Sequence, residues 1–310
     1  MSEGSTNIPP NPAFTSDTGL WRIFKDKSSQ KLHETGAILA QLEQQTDLWK
    51  RVTDIAQPFQ FAFFGVGDGE VELELVRQLA SIRGGIANFS VYCEDPSRAM
   101  KTAFEATLKT KDLENLPVNY QVKPIEDVDL QIPDSDLVIA SHMLYYVPNW
   151  KTVEEDPNSP LHKIYNASAN KDGAAIIVVQ ASGSDIFKLR DKYNFRGVPE
   201  ISAEMVAAEL NRLDLPFNGY PDISGLDATS FFQDGSFNPT YEGQQLLAFI
   251  FRHPWREIPI EKQIEIGNDI SQMIKGHIGT TQIPHGHASD LWLAHVDGYI
   301  WLRKRWMSTS

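Results

Sequence analysis

From residue 59 onwards the sequence alternates short apolar runs with longer amphipathic stretches, and this alternation constrains the fold more than any other feature. The apolar runs are typical of strands covered on both faces, and the amphipathic stretches are typical of helices packed on a sheet. Such alternation favours right-handed βαβ crossovers. We therefore predict an α/β fold with a Rossmann-like, doubly wound, mostly parallel sheet. The predicted strands are 59–65, 88–94, 118–123, 136–141 and 174–180, and the helices between them are 70–82, 97–109 and 160–170.

The remaining segments predict additional parts around that sheet. Residues 1–18 are polar and rich in Pro, Ser and Asn, so we expect a mobile tail, whereas the spacing in 19–56 predicts N-terminal helices that precede the sheet. The sheet domain is expected over 57–227 and an inserted helical cap over 228–282. The alternating pattern in 283–310 predicts one or two C-terminal strands that complete the sheet as an antiparallel edge.

The acidic composition argues against several classes of partner. A formal net charge of −13 repels phosphate backbones and anionic lipid, so we expect neither nucleic acid nor a membrane surface as a partner. The longest apolar runs, 174–179 and 246–251, are far shorter than the about 20 residues that cross a bilayer. The single cysteine, Cys93, and an N-terminus without signal-peptide features predict a cytoplasmic protein. No feature of the sequence predicts an oligomeric state.

The turn after the first predicted strand carries Gly65, Gly67 and Gly69, which indicates a ligand-binding loop, with a tight turn that binds nothing as the alternative. Ligands of open α/β sheets bind beyond the carboxyl ends of the strands. A dinucleotide site would need glycine where Glu70 stands, and the Gly-Lys-Ser/Thr of a P-loop is absent. Because Asp68 and Glu70 would compete with a pyrophosphate for the helix N-terminus, the loop favours a cationic ligand.

Two further acidic sites follow later strands and favour S-adenosylmethionine, which carries a sulfonium, an ammonium and a ribose diol but no phosphate. Asp95 stands where an acid meets ribose hydroxyls in such sheets, although it could instead cap the helix that starts at Pro96. After the third predicted strand, Glu126 or Asp127 could accept from the adenine amine while Ile125 packs on the ring. The order of these three sites predicts S-adenosylmethionine as cofactor.

The sequence resembles the class I S-adenosylmethionine-dependent methyltransferases, and among them the histamine N-methyltransferases, in GVGDGEVELEL, EDPSRAM, SHMLYYVPNW and IIVVQASGSDIFKLRDKY. The runs MLYYV and IIVV to SGS are the specific parts, and the likeness covers most of residues 20–302. It implies a seven-stranded sheet with a reversed last strand, an inserted cap and methyl transfer to a small molecule. The cofactor contacts that it implies are Gly65, Asp95, Met100, Ile125, Glu126 and Ser141.

On the acceptor side the sequence departs from that family. Its members hold the acceptor with a glutamate, a glutamine and an asparagine, and the matching residues here are Gln30, His142 and His295. Because a buried cation without a carboxylate is costly, this loss argues against histamine itself, although Glu34, one helical turn beyond Gln30, could substitute. His142 is the candidate general base and His295 the second candidate catalytic residue. The alternative is that His142 only hydrogen-bonds the substrate or packs under the cap.

Aromatic residues are candidates for a wall against a methylated cation, and Tyr146 and Trp150, in a loop after a strand, are favoured. Further candidates are Tyr145, Phe187, Tyr193 and Trp292. The histidines at 285 and 287 lack acidic or cysteine partners at a standard ligand spacing, so no metal site is predicted.

These features favour transfer of a methyl group from S-adenosylmethionine to an amine or imidazole nitrogen of a small molecule. Two alternatives stay open: S-methylation of a thioether amino acid such as methionine, and O-methylation of a small acid or phenol. A non-catalytic S-adenosylmethionine-binding protein is a remoter alternative, opposed by the intact loop and Asp95. A nicotinamide-dependent dehydrogenase is opposed by Glu70.

Overall fold

The computed structural model of the protein describes residues 18–127, 132–147, 150–151, 159–168, 173–277 and 291–303. The predicted N-terminal tail and the histidines at 285 and 287 lie outside these ranges. Contacts divide the chain into two compact units, each assembled from separated stretches. The larger unit draws on residues 31–182, 201–222 and 296–310, and the smaller unit draws on residues 1–30, 183–200 and 223–295.

A seven-stranded sheet has the order β3-β2-β1-β4-β5-β9-β6. Strands β1 to β5 pair in parallel, and β9 pairs antiparallel with β5, which confirms the predicted fold class. The strand order reverses at β1, whose two neighbours are β2 and β4, so the ends of these three strands form the expected ligand edge. The sheet strands are β1 (Phe59–Phe64), β2 (Phe89–Glu94), β3 (Val118–Gln121), β4 (Leu137–Ser141), β5 (Ala174–Gln180), β6 (Phe217–Asp227) and β9 (Trp292–Leu302).

Ten α-helices lie in the described ranges, and four of them begin after a side chain that caps the first turn. Ser97, Ser159, Ser202 and Thr240 each accept a backbone N–H of the first turn of the helix that they cap. The helices are α1 (Thr18–Lys27), α2 (Gln30–Gln44), α3 (Thr46–Thr53), α4 (Glu70–Arg83), α5 (Arg98–Thr110), α6 (Pro160–Ala167), α7 (Asp185–Tyr193), α8 (Ala203–Arg212), α9 (Tyr241–Phe251) and α10 (Ile260–His277). None of the helices described is long and apolar enough to cross a membrane.

The larger unit has two apolar layers because successive side chains of its strands point to opposite faces. In β1, Phe61 and Phe63 pack in one cluster with Leu73 of α4, while Phe64 packs in the other with Ile164 of α6. All seven residues of β5 are buried. Coverage on both faces is the physical reason that the sheet strands read as continuous apolar runs.

The smaller unit has a core of its own, which includes Phe24 of α1, Leu247 and Ile250 of α9, and Ile270 of α10. Two short strands, β7 (Phe232–Gln233) and β8 (Ser236–Phe237), pair antiparallel within it. Its residues come from before, within and after the predicted sheet domain of 57–227, and are therefore not confined to the predicted cap of 228–282.

Candidate active site

The glycine loop, residues 65–69, joins β1 to α4, and its three glycines all have positive φ. A Cβ atom on Gly65 would lie 2.4 Å from the Met143 side chain, and one on Gly69 would lie 2.4 Å from the Phe104 ring. A Cβ atom on Gly67 would meet nothing within 4 Å. Packing therefore explains two of the glycines, whereas the third faces open space in which a ligand can approach the backbone.

Two buried acids at the end of β2 hold this loop. Glu94 Oε1 accepts the Gly65 N–H at 3.0 Å, and Asp95 Oδ2 accepts the Gly67 N–H at 3.0 Å. Glu94 is 1% exposed, and its Oε2 atom is buried without a hydrogen-bond partner. Burial raises the pKa of Glu94 to about 8 and also raises the pKa of Asp95 above its usual value. This end of β2 therefore holds polar groups that the protein itself does not fully satisfy.

The alternative that Asp95 caps the next helix is wrong. The helix α5 begins at Arg98, and its N-cap is Ser97, whose hydroxyl accepts the Met100 N–H at 3.2 Å. Asp95 instead accepts the Ser97 N–H at 2.8 Å, so the carboxylate supports the turn before the helix and the glycine loop together.

The acidic residues of the loop differ in their partners. Lys111 Nζ lies 3.1 Å from Glu70 Oε1 and 3.1 Å from Glu74 Oε2, so the charge of Glu70 is offset. Asp68 Oδ1 accepts the Glu70 N–H at 3.4 Å. Any repulsion of phosphate by the loop therefore depends more on Asp68 than the sequence pattern indicates.

The third predicted cofactor segment is a 3-10 turn, Ile125–Asp127, after β3. Ile125 is buried, whereas Glu126 is exposed. The buried Lys163 of α6 donates to the carbonyl oxygens of Ile125 at 2.9 Å and Glu126 at 2.7 Å. A lysine from a distant helix thus holds the turn, while the Met100 side chain is buried in the first turn of α5.

A second polar cluster, Glu34, Ser141, His142 and Asp297, lies at the carboxyl end of β4. Glu34 of α2 is fully buried and accepts a hydrogen bond from the Ser141 hydroxyl. The His142 Nε2 atom lies 3.9 Å from Glu34 Oε2 and 3.6 Å from Asp297 Oδ2. We call these four residues the acceptor cluster. In it, the His142 imidazole faces two buried carboxylates.

The backbone of His142 is held in an unusual conformation. Its φ of 51° lies in the left-handed region, which costs a residue other than glycine about 1–2 kcal/mol. The His142 N–H donates to the Val178 carbonyl at 2.8 Å, and Nδ1 lies 3.2 Å from Tyr145 Oη. Tyr145 Oη in turn accepts the Gln180 N–H at 2.5 Å. Such strain is held at functional sites when neighbours determine the geometry, as β5 does here.

The other predicted acceptor residues fall in different places. Tyr146 follows the cluster and is 41% exposed, and Trp150 is buried, with Lys151 Nζ 5.4 Å from the ring centroid. Gln30, Phe187 and His295 are buried residues of the smaller unit. Within that unit the His295 ring lies 6.0 Å from the Phe24 ring. The acceptor roles of these residues stay predictions.

Among the residues that the structure describes, no group of three or more His, Cys, Asp or Glu side chains is arranged to hold a metal ion. The histidines at 285 and 287 lie outside those residues.

The sequence matches of this chain include two histamine N-methyltransferases. The chain is 23% identical over 202 residues to a histamine N-methyltransferase of Bos taurus, with 61% of this chain and 65% of the bovine protein covered. It is 23% identical over 239 residues to the enzyme of Mus musculus, with 72% and 76% covered. The first match thus spans less than two thirds of the bovine protein. No family model matches the chain.

Together with the seven-stranded sheet and its antiparallel β9, these matches support a class I S-adenosylmethionine-dependent methyltransferase. Among solved structures, it is similar to a magnesium protoporphyrin IX methyltransferase from Synechocystis, with 13% identity, a TM-score of 0.47 and coverage of 95% and 97% of the two chains. At that TM-score the likeness adds no argument of its own.

The cofactor of this methyltransferase family is S-adenosylmethionine, and the residues present fit it. Gly67 leaves open space above the loop, and Asp95 with the second oxygen of Glu94 offers acceptors suited to a ribose diol. Asp68 adds a carboxylate that suits the cationic methionine end. We expect these residues to hold the cofactor when it is bound.

Several polar residues of the methyltransferase were not predicted from the sequence. Asp297 lies two residues beyond the predicted His295, and the alternating pattern of β9 carries no sign that its carboxylate faces His142. Lys163 lies in an ordinary amphipathic helix. Of these polar residues, Glu94 could have been identified from the sequence, because a charged residue at the end of an otherwise apolar strand indicates either a partner or a ligand.

Proposed function

We propose that this protein transfers a methyl group from S-adenosylmethionine to a nitrogen atom of a small molecule, either an amine or an imidazole. The observation that carries the proposal is the position of the His142 imidazole within 3.9 Å of Glu34 and 3.6 Å of Asp297. Two buried carboxylates stabilise a cation at the place where the acceptor is expected, and most amines enter a site as cations.

The same three residues provide a path for the proton that must leave the nitrogen. When bound, S-adenosylmethionine would supply an electrophilic methyl group: the nitrogen lone pair, available once a cationic amine has lost a proton, would form the new nitrogen–carbon bond as the in-line carbon–sulfur bond breaks and its electron pair returns to sulfur. His142 is suited to take the proton from the acceptor, and the carboxylates of Glu34 and Asp297 would stabilise the imidazolium that results. Positioning of the nitrogen supplies most of the remaining acceleration.

The acceptor cluster disfavours the two alternative chemistries. A methionine or a small acid carries a carboxylate, which Glu34 and Asp297 would repel, and a thioether needs no base. The buried carboxylate of Glu34 also weakens the argument against histamine, because a carboxylate one turn beyond Gln30 lies beside His142. Histamine therefore belongs among the acceptors to be tested.

We also propose that the protein works in the cytoplasm. The support is its single cysteine, Cys93, which is buried in β2 and has a pKa raised by burial, so it resembles a packing residue of a reducing compartment. Fractionation of source cells with an antibody against the protein tests this location, and recovery in the membrane or secreted fraction would contradict it.

A transfer assay with methyl-labelled S-adenosylmethionine tests the proposal against a panel of amines, imidazoles, amino acids, thioethers and phenols. We expect label in amine or imidazole products, and an Asp297→Asn variant should raise the KM for cationic acceptors about tenfold, because one charged partner is lost. The Asp269→Asn variant is the control, since Asp269 pairs with Lys192 in the smaller unit. Preferred transfer to thioethers or acids would contradict the nitrogen assignment, and absence of S-adenosylhomocysteine binding would contradict the whole proposal.

A further inference from the structure

Lys31 lies between the acceptor cluster and the glycine loop within the larger unit. It stands in the first turn of α2, where its Nζ atom is 3.1 Å from Glu34 Oε2 and its side chain is 17% exposed. One turn further, the Thr35 hydroxyl donates to the Val71 carbonyl oxygen at 3.4 Å. Val71 is the second residue of α4, the helix that the glycine loop opens. The start of α2 is therefore packed against the start of α4.

Acidic groups surround this lysine. Burial alone would lower the pKa of Lys31, but the carboxyl groups of Glu34, Glu72 and Asp68 raise it above its ordinary value. Glu72 is itself buried, and burial raises its pKa to about 8. Asp68 belongs to the glycine loop, so the ammonium of Lys31 is within electrostatic reach of the predicted cofactor site.

We propose that Lys31 binds the carboxylate of the cofactor's methionine end. This end carries a sulfonium, an ammonium and a carboxylate, and the acidic loop suits only the two cations. A carboxylate that enters beside Asp68, Glu72 and Glu34 needs a cation as partner. The inference rests on the proposed function, because it presupposes a cofactor with an amino-acid end.

The chemistry of lysine suits this role. Its ammonium has three donors on a flexible stem, so it can add a second carboxylate or exchange Glu34 for it. Lys111, the lysine on another side of the loop, has a similar exposure of 13% but already lies 3.1 Å from each of Glu70 and Glu74. Lys111 is therefore the matched comparison, since it is a lysine of similar exposure whose two carboxylate partners both lie on α4.

Calorimetry with two ligands tests the inference: S-adenosylhomocysteine, and its decarboxylated analogue, which keeps the amine but lacks the carboxylate. Wild-type protein should bind the first about tenfold more tightly. In Lys31→Met this preference should disappear, because affinity for S-adenosylhomocysteine falls while affinity for the analogue stays within twofold. Lys111→Met should keep the full preference.

The analogue also reports whether the variant is folded, since its binding needs the glycine loop and the ribose site but not Lys31. An equal loss for both ligands in Lys31→Met would show that the lysine acts only by holding Glu34 and α2, and would overturn the inference. An unchanged preference would overturn it as well. If wild-type protein bound neither ligand, the proposed function would fail and the assignment of Lys31 with it.

Discussion

The cofactor end and the acceptor end of the larger unit are built in different ways. At the cofactor end, the carboxylates that hold the glycine loop stand at the end of β2, the neighbouring strand: Glu94 and the next residue, Asp95, each accept a loop amide N–H at 3.0 Å. At the acceptor end, Glu34, His142 and Asp297 come from α2, the end of β4 and β9. The first site is local to two adjacent strands, whereas the second exists only after distant elements have packed.

This difference explains why one end follows the family pattern and the other does not. The loop glycines and strand-end acids are the residues expected to hold the cofactor, and their geometry depends on the backbone of the sheet. The acceptor cluster depends on side chains from separate elements, so a few substitutions can change the ligand while the fold is kept. The following variants test whether the two ends are independent.

The largest effect is expected at the acceptor end. Replacement of His142 by Gln removes the candidate base but keeps a polar side chain, and the turnover number should fall about a hundredfold. Affinity for S-adenosylhomocysteine should stay within twofold, as measured by calorimetry. His162→Gln is the control, because His162 lies on α6 and contacts Ser159. Normal turnover of the His142 variant would show that this residue is not the base.

At the cofactor end, a substitution should weaken binding of the cofactor product. Asp95→Ala removes the acceptor of the Gly67 and Ser97 N–H groups and the proposed ribose partner, so affinity for S-adenosylhomocysteine should fall about fiftyfold. Glu105→Ala, on the exposed side of α5, should bind normally. If Asp95→Ala kept wild-type affinity, the ribose assignment would be wrong.

The next expected effect is smaller. It distinguishes the positive φ that Gly67 adopts from the space that this glycine leaves for a ligand. Gly67→Ala and Gly84→Ala both place a methyl group at positive φ with no atom within 4 Å, and each should lose about 1 kcal/mol of unfolding free energy. Only Gly67→Ala should also lower the affinity for S-adenosylhomocysteine, by about tenfold, because its methyl group occupies the space of the ligand. Equal affinities of the two variants would contradict a ligand above Gly67.

A last effect concerns pH and Glu72, a buried acid of α4. Glu72 ionises near 4.5 in the unfolded chain and near 8 in the folded protein, so in this window the folded state holds the extra proton. The unfolding free energy should therefore fall as pH rises, by at most about 1.4 kcal/mol per pH unit from this group, and level off above pH 8. Denaturant titrations of Glu72→Gln should show a shallower fall than wild type. The control variant Glu114→Gln, which changes an exposed residue, should show the same fall as wild type. Identical slopes for Glu72→Gln and wild type would contradict the effect of burial on Glu72.

The sequence was sufficient for most of the fold because each buried strand and each amphipathic helix carries its own pattern. The strand Ala174–Gln180 was predicted residue for residue, and the other predicted sheet strands agree with the structure at all but their last or first one or two residues. The arrangement of the smaller unit was not predictable, since its core joins α1, α7, α9 and α10 from three parts of the chain. Local periodicity contains no information about which distant faces meet.

The same limit applies to the site. Gly65, Gly67, Gly69 and Asp95 could be predicted as cofactor contacts from the sequence, because a motif and a strand end indicate them. The contact between Asp297 and His142 could not be predicted from the sequence. Neither could the hydrogen bond from Lys163 to the turn at Ile125. Residues far apart in sequence make such contacts only through packing, and their residue types alone do not indicate a partner.

The sequence by itself determined the alternating α/β architecture and the acidic glycine loop. The physical reason is that backbone conformation and burial of a strand or loop depend mainly on neighbouring residues. Only the tertiary structure decided that Glu34 and Asp297 face one imidazole and that Lys31 stands between the two ends. These charges interact over a few ångströms in space, and the fold rather than the chain order sets those distances.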